Sequence, residues 1–357
     1  MTNLVLKASK NAINKTIFVL CRPLNAHREL LAENETICLY SEKMIRSVLK
    51  TQQQYRRASV KHQLMVFVKQ VPDTKNISGE AMTPEGTVNR SALPAIFNPE
   101  DLNALELGLQ LKGKYNFKVT VATMGPPNAA EVLRECLYRG ADEAILITDR
   151  AFAGADTLAT SYALSCCVKA VGNVNLILCG RQAIDGDTAQ VGPQLAEKLN
   201  IPQIAYVAEV ISLSDKKIKA KRAIEGGYEI IESPLPALLT VIDANEPRSA
   251  SAKGIMKYKK AKTRSEVAKL MRDADYTGAQ ALADKENEMQ AKNLWIHEWD
   301  AAKIQANVSR IGLTGSPTKV KKIESVVLKA GKVVAIEPSE AGINELIREL
   351  IEDHTLG

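Results

Sequence analysis

The sequence predicts a doubly wound α/β domain, a mostly parallel sheet with helices on both faces, extended by an antiparallel segment and a C-terminal arm. Three observations point there. Apolar runs of strand length recur at 64–68, 117–122, 144–148, 174–178 and 238–242, and they are apolar at successive positions, as strands buried on both faces are. Helical patterns lie between them. The chain has 357 residues, 45% hydrophobic and 25% charged, which is enough to bury a sizeable core in one large domain or two smaller ones.

Taken in order, residues 1–63 read unlike the rest. Their only strand-like run is 17–20, and the segment ends in the polar, basic stretch TQQQYRR at 51–57. It lacks the sustained apolar region and small-residue cleavage site of a secretory signal, and four glutamates argue against a transit peptide. Two readings stay open: an upstream translation start, with the natural chain beginning near Met65, or an atypical extension without stable order. From Leu64 the apolar strand pattern begins at once. Helices are expected over 100–111, where Leu102, Leu105, Leu109 and Leu111 share a side, over 129–138, over 155–171 and over 189–199. Residues 207–213, 217–224 and 229–233 alternate apolar and polar, with turns at 214–216 and at Gly226 and Gly227, so they read as antiparallel strands added to the sheet. After Lys262 strand signals fade into a charged tail. Ser339 then caps a last helix whose Ile343, Leu346, Ile347, Leu350 and Ile351 fall at helical spacing. That stripe needs a cover, either its own domain or a partner chain. The domain organisation expected is therefore an extension (1–63), an α/β domain (64–262) and an arm (263–357).

Charge and composition exclude several classes. Residues 1–63 hold six Lys and five Arg against four Glu, a net +7, which leaves −1 for the remainder of a chain whose formal charge is +6. With aromatics at 4%, no basic stripe interleaved with stacking side chains stands outside the first segment, so nucleic acid is not the expected partner. No apolar run approaches the roughly 18 residues of a membrane span. The six cysteines form no C-x-x-C pair and suit a reducing, cytoplasmic setting, and the four scattered histidines suggest no metal site.

In an open parallel sheet, ligands sit outside the carboxyl ends of the strands. Three turns there are candidates: 69–74, 123–127 and the stretch CGRQAIDGDTAQVGPQLAEKL at 179–199. The last leaves a buried strand through Gly180, Arg181 and two aspartates, Asp185 and Asp187, before a helix. Glycine lets backbone approach a ligand, helix N–H groups favour phosphate, and an acid accepts from ribose hydroxyls. Helix capping by Asp185 and Asp187 explains the same residues equally well. No G-x-G-x-x-G, P-loop or G-x-S-x-G motif is present, so the usual dehydrogenase, NTPase and hydrolase signatures are missing.

Several stretches resemble one family in order and spacing: VKQVPDT (68–74), NPED (98–101), MGP (124–126), GAD (140–142), GRQAIDGD (180–187), AKRAIEGGYEII (220–231), PALLT (236–240) and NEPR (245–248). They are similar to the β subunit of electron transfer flavoproteins, over residues 64 to about 260. The resemblance implies a Rossmann-like, adenine-nucleotide-binding domain of HUP type, paired with an α subunit in a heterodimer that carries electrons between flavin dehydrogenases and other redox partners. It places the nucleotide against Phe67, Asn98, Pro99, Glu100, Asp101, Met124, Gly180, Arg181, Gln182, Ala183, Ile184, Asp185, Gly186, Asp187, Thr188, Ala189, Gln190 and Val191.

The stretches DRAFAGADTLATS (149–161) and GLTGSPTK (312–319) resemble the anaerobic branch of that family. Members of this branch hold FAD where others hold AMP. The resemblance implies bifurcation: hydride from NADH, then one electron to ferredoxin or flavodoxin and one through the α flavin to an acyl-CoA dehydrogenase. Asp156, Thr157, Thr160 and Ser161 open a helix beside the expected flavin, although ordinary N-capping by Asp156 or Thr157 fits their spacing too. Arg181 offers a fixed positive charge to a pyrophosphate or reduced flavin, or is a solvated surface cation. Asn245, Glu246, Pro247 and Arg248, with Ala252 and Met256 following, resemble the loop that recognises the dehydrogenase, but Ala252 stands where respiratory relatives carry leucine. The alternatives are an AMP-binding carrier that serves a quinone reductase without bifurcating, an adenine-nucleotide sensor, and a structural subunit with an empty pocket.

Overall fold

The computed structural model of the chain describes residues 4–7, 17–21, 38–40, 62–73, 94–242, 246–273, 279–319 and 335–352. It comprises two compact units, one of Met1–Val71 with Ile96–Lys319 and one of Pro72–Ala95 with Val320–Gly357. In the first 63 residues, β1 (Leu4–Lys7), β2 (Ile17–Cys21) and β3 (Cys38–Tyr40) form an antiparallel ladder in sequence order. Only β2 was legible as an apolar run, and the remaining expectations for this segment lie outside the described residues.

The first unit is built on nine strands. These are β4 (Gln63–Phe67), β7 (Lys118–Met124), β8 (Glu143–Ile147), β9 (Val174–Gly180), β10 (Gln203–Leu213), β11 (Lys217–Ile224), β12 (Gly227–Pro234), β13 (Ala237–Val241) and β14 (His297–Trp299). The short β5 (Gln70–Pro72) and β6 (Ala95–Phe97) make a separate ladder. Spatial order is β12-β11-β10-β13-β9-β4-β7-β8-β14. Every pairing from β10 through β13, β9, β4, β7 and β8 to β14 is parallel, and β11 and β12 add antiparallel pairs at one edge. This is the doubly wound, mostly parallel sheet with an antiparallel segment that the patterns predict, with one refinement: β10 is antiparallel only to β11 and runs parallel to β13.

Both faces are covered. Along β4, Leu64 and Val66 join Leu105, Leu109 and Leu133 on one side, while Met65 and Phe67 join Ala163, Cys167 and Leu195 on the other. Successive strand side chains point to opposite faces, so a run apolar at every position requires a core on each. Fully burying one such leucine contributes about 1.5–3 kcal/mol. The helices supplying these residues are α1 (Pro99–Tyr115), α2 (Ala130–Arg139), α3 (Thr157–Val171) and α4 (Val191–Leu199). Helix α1 starts with proline in its first turn, carries Glu100 and Asp101 there and Lys112 and Lys114 in its last, and stops at left-handed Asn116, a charge order that complements the helix dipole.

Strand signals do not end at Lys262. His297–Trp299 pairs in parallel with β8 at the sheet edge, but its three half-buried residues carry no apolar run, so pairing and not composition makes it a strand. Around it lie α5 (Ala252–Tyr258), α6 (Arg264–Asp273) and α7 (Ala279–Ala291), with Val267, Met289 and Trp295 in a small cluster of their own. In the second unit, α8 (Glu340–Glu352) begins where expected, with the Ser339 hydroxyl accepting from the Gly342 N–H at 3.2 Å. Its Ile343, Ile347 and Ile351 are exposed. Cys136, Cys166, Cys167 and Cys179 are free and buried, and burial pushes the Cys136, Cys167 and Cys179 thiols up. Among the described residues no helix is long and apolar enough to cross a membrane, and no cluster of metal-ligating side chains forms.

The sheet order also creates the site. From β4 the chain moves to β7 and β8 on one side, then returns to lay β9 on the other flank of β4. Such a reversal opens a crevice at the strands' carboxyl ends, here at Phe67 and Gly180.

Candidate functional site

The N-terminus of α1 holds the crevice together. Asn98, fully buried, donates through Nδ2 to the Gln182 carbonyl at 2.9 Å and accepts through Oδ1 from the Ile184 N–H at 3.3 Å. Pro99 takes the first helical position, where its missing N–H costs nothing. Glu100 accepts from Arg181 (Nε 3.1 Å, Nη2 2.6 Å) and from the Gln182 N–H at 3.2 Å. Asp101 accepts from the Lys69 N–H at 2.9 Å and the Gly180 N–H at 3.0 Å, joining the ends of β4 and β9. Burial outweighs these hydrogen bonds and pushes the Asp101 carboxyl up to about 7. A Cβ on Gly180 would stand 2.6 Å from Asp101 Oδ1, so this close approach requires glycine.

Arg181 is therefore ion-paired to Glu100, with its side chain still 40% exposed. Its hydrogen bonds to Glu100 hold the guanidinium above its ordinary value. Asp185 is likewise taken, by Lys69 Nζ at 2.8 Å, and Asp187 accepts from Gln182 Nε2 at 2.8 Å. Capping by these aspartates is not found. Helix α4 starts at Val191, two residues later than its pattern suggests, with Gln190 at the cap and no side-chain cap bond. Left-handed backbone at Asp187 (φ 47°) and Ala189 (φ 52°) turns the chain before the helix begins. Gly186, Asp187, Thr188 and Gln190 are exposed, and Ala183, Ile184 and Val191 are half-buried. The N–H groups of residues 188–192 meet no acceptor among the described residues. A row of such donors at a helix start, beside an exposed carboxylate, is the chemistry that phosphate and ribose hydroxyls need.

The first turn of α3 borders this loop. Thr157 Oγ1 donates to Gln190 Oε1 at 2.9 Å, and Ser161 Oγ, fully buried, lies 3.1 Å from Gln194 Oε1. Thr160 is half-buried one turn above Asp156, its N–H donating to the Asp156 carbonyl at 2.9 Å. Asp156 itself is the cap: Oδ1 accepts from the Ala159 N–H, and Oδ2 from the N–H and hydroxyl of Thr318. Burial pushes its carboxyl up, but these bonds win and hold it below its ordinary value. Phe67 and Met124 end the adjacent strands β4 and β7. The Phe67 side chain is in the core, so its backbone alone can face the crevice. Lys69 and Gln194 were not singled out from sequence. Lys69 follows the first strand directly, and Gln194 lies four residues after Gln190 on one helix face, which are the signals that mark them.

The segment expected to recognise a partner lies outside the crevice, and Asn245 falls outside the described residues. Arg248 is pinned to α1: its N–H donates to Glu106 Oε2 at 3.0 Å, and its guanidinium engages both Glu106 oxygens at 2.7 and 2.9 Å. Glu106 is buried, yet the Arg248 bonds outweigh burial and hold its carboxyl below its ordinary value. Glu246 and Ala252 are exposed, Pro247 is half-buried, and Met256 is 70% exposed, so an apolar side chain faces outward on a fixed base.

Fold and crevice together define a Rossmann-like α/β protein with its ligand crevice at the strand-order reversal. The model of the electron transfer flavoprotein domain matches residues 85–270. The chain is 41% identical over 292 residues to the electron transfer flavoprotein subunit beta of Clostridium acetobutylicum, an overlap of 82% of this chain and 98% of that one. It is 52% identical over 195 residues to the caffeyl-CoA reductase-Etf complex subunit CarD of Acetobacterium woodii, covering 54% and 73%. It is 38% identical over 300 residues to the acryloyl-CoA reductase electron transfer subunit gamma of Anaerotignum propionicum, covering 82% and 99%. This chain belongs to the electron transfer flavoprotein family, as a β subunit.

Proposed function

We propose that this chain pairs with an α subunit and binds FAD in the crevice, as a cytoplasmic bifurcating electron carrier. The observation that carries the reading is the meeting of the 180–191 loop with the first turn of α3, through Thr157 with Gln190 and Ser161 with Gln194. These contacts bring the residues expected at the flavin beside the loop expected at the adenine nucleotide. Two of the similar chains are named as electron transfer subunits of CoA-ester reductases, which favours the same assignment.

In this reading, bound FAD supplies the redox chemistry, taking hydride from NADH and giving up two electrons singly, to ferredoxin or flavodoxin and toward an acyl-CoA dehydrogenase. The protein's own residues do the placing. Asp187 accepts from the ribose, the N–H groups of Thr188, Ala189, Gln190, Val191 and Gly192 face phosphate, Thr157 and Thr160 line the side toward the flavin ring, and the fully buried Ser161 positions Gln194. Asn98, Glu100, Asp101 and Arg181 position the loop without touching the ligand. The 64–262 region is the nucleotide-binding part, the 263–357 region with the exposed stripe of α8 packs on the α subunit, and 246–256 meets the dehydrogenase.

A specific observation favours the AMP reading as the second. Among the described residues, Arg181 is paired with Glu100 and Lys69 with Asp185 at the crevice, so phosphate contacts fall chiefly to backbone donors. Flavin and AMP released by acid from the copurified heterodimer decide between the two. Two FAD and no AMP are expected. One FAD with one AMP makes the chain a simple carrier that feeds a quinone reductase, and a chain with AMP but neither flavin nor partner is a sensor.

A further inference from the structure

A cleft of about 400 Å³ lies between the start of α3, the end of α4 and the 309–317 loop, bordering the crevice at Leu158. Gln190 and Lys198 are eight residues apart on α4, or about 12 Å along its axis. Two cations line the cleft, Lys198 and Arg310, and neither forms an ion pair with a carboxylate among the described residues. Asp156 is the acid whose field reaches Lys198, but its oxygens are taken by Ala159 and Thr318. Burial, and then the charge of Arg310, pushes the Lys198 ammonium below its ordinary value. Two like charges held close without a counter-ion raise the free energy of the site, and an anion would relieve it.

One of the two cations is also preorganised. Arg310 stacks on the Tyr162 ring with 4.1 Å to the centroid, and the Tyr162 hydroxyl is fixed by the Asn307 N–H at 3.1 Å. Ser309 and Thr314 bring hydroxyls to the same space, while Leu158 and Pro317 make an apolar wall. A guanidinium held flat, an ammonium and the Thr314 hydroxyl match the oxygens of a phosphate dianion, while the Ser309 hydroxyl donates to Asn307 Oδ1 at 2.8 Å. We propose that this cleft binds a phosphoryl group, gripped by Lys198 and Arg310, with the wall of Leu158, Tyr162 and Pro317 beside it for an organic body.

The test is calorimetric titration of the purified full-length protein with inorganic phosphate and, separately, with ADP-ribose, at constant ionic strength. Binding is expected to weaken about tenfold in Lys198→Gln and again in Arg310→Gln, while Lys198→Arg keeps most of it. ADP-ribose binding more tightly than phosphate through these two residues assigns the cleft to a phosphorylated organic ligand, and equal affinity assigns it to the free ion. No binding of either probe, or binding unchanged in both glutamine variants, overturns the proposal. Because both side chains lie at the surface of the cleft and make no fold-bridging ion pair, the variants are expected to keep the wild-type unfolding midpoint.

Discussion

Two loops leave the neighbouring strands β9 and β13, and each is tied to α1 by a buried acid, but by different chemistry. Asp101 holds the first loop through backbone N–H groups of Lys69 and Gly180. Glu106 holds the second through the side chain and N–H of Arg248. A loop fastened by its backbone keeps its outward side chains available to a ligand, as Asp187, Thr188 and Gln190 are. A loop fastened by one long cation is pinned at a point and carries the residues beyond it, here 252–258, to the surface as a patch. The first arrangement suits a small molecule and the second a protein surface.

The largest expected effect breaks the first fastening. Asp101→Ala strips the acceptor from two buried N–H groups and is expected to cost about 3 kcal/mol, read from urea unfolding. Asp101→Asn should recover part of it, since its amide offers one acceptor oxygen and turns a donor toward the second N–H. A neutral alanine variant would show that the crevice does not depend on this clamp. Gly180→Ala pushes a methyl into Asp101 and the Glu100 backbone, at about 2 kcal/mol, and the same displacement should lower retention of the crevice nucleotide.

Glu106→Gln tests the second fastening at about 1 kcal/mol, a value reduced because Arg248 is partly exposed to solvent. Faster limited proteolysis within 246–258 is expected, with the nucleotide content unchanged. The two acids also sharpen the contrast through pH. Asp101 titrates near 7 when folded against an ordinary 3.8, so the folded state holds its proton where the unfolded chain has lost it. Its contribution is full below about pH 4 and declines as pH rises toward 7. Glu106 lies below its ordinary 4.5, so its contribution is present above that value and is lost as pH falls through its folded value. Stability differences between wild type and Asp101→Asn, and between wild type and Glu106→Gln, should therefore slope in opposite directions with pH. Parallel slopes would remove the distinction. The smallest expected effect on stability, under about 0.5 kcal/mol, belongs to Asp187→Ala and Thr160→Ala. Both should still reduce the nucleotide held in the crevice and leave the α-subunit flavin bound, and undiminished retention in both would remove these residues from the site.

Much of this was legible in the chain. The apolar runs at 64–68, 117–122, 144–148, 174–178 and 238–242 mark five central strands because a strand buried on both faces has no polar position to hide. The stretch from Cys179 to Leu199 marked a candidate loop because glycine and aspartate after a buried strand suit either a ligand or a helix cap, and neither Asp185 nor Asp187 caps the helix that follows. The three-residue β14 was not legible, since its edge position needs only one apolar neighbour and its pairing partner lies far back in the sequence. Nor was the later start of α4, which is set by left-handed backbone at Asp187 and Ala189, since alanine carries no local signal for that conformation.

By itself the sequence determined the layers, the family and a candidate ligand loop, because these rest on local periodicity and on residue types at short spacing. Tertiary structure alone decided which charges are available. Arg181 meets Glu100 across 81 residues and Lys69 meets Asp185 across 116, so these cations at the crevice are paired, while Lys198 and Arg310 have no partner carboxylate among the described residues. The physical reason is that an ion pair depends on distance in space. That distance is set by the order in which strands enter the sheet, and no pattern along the chain records it.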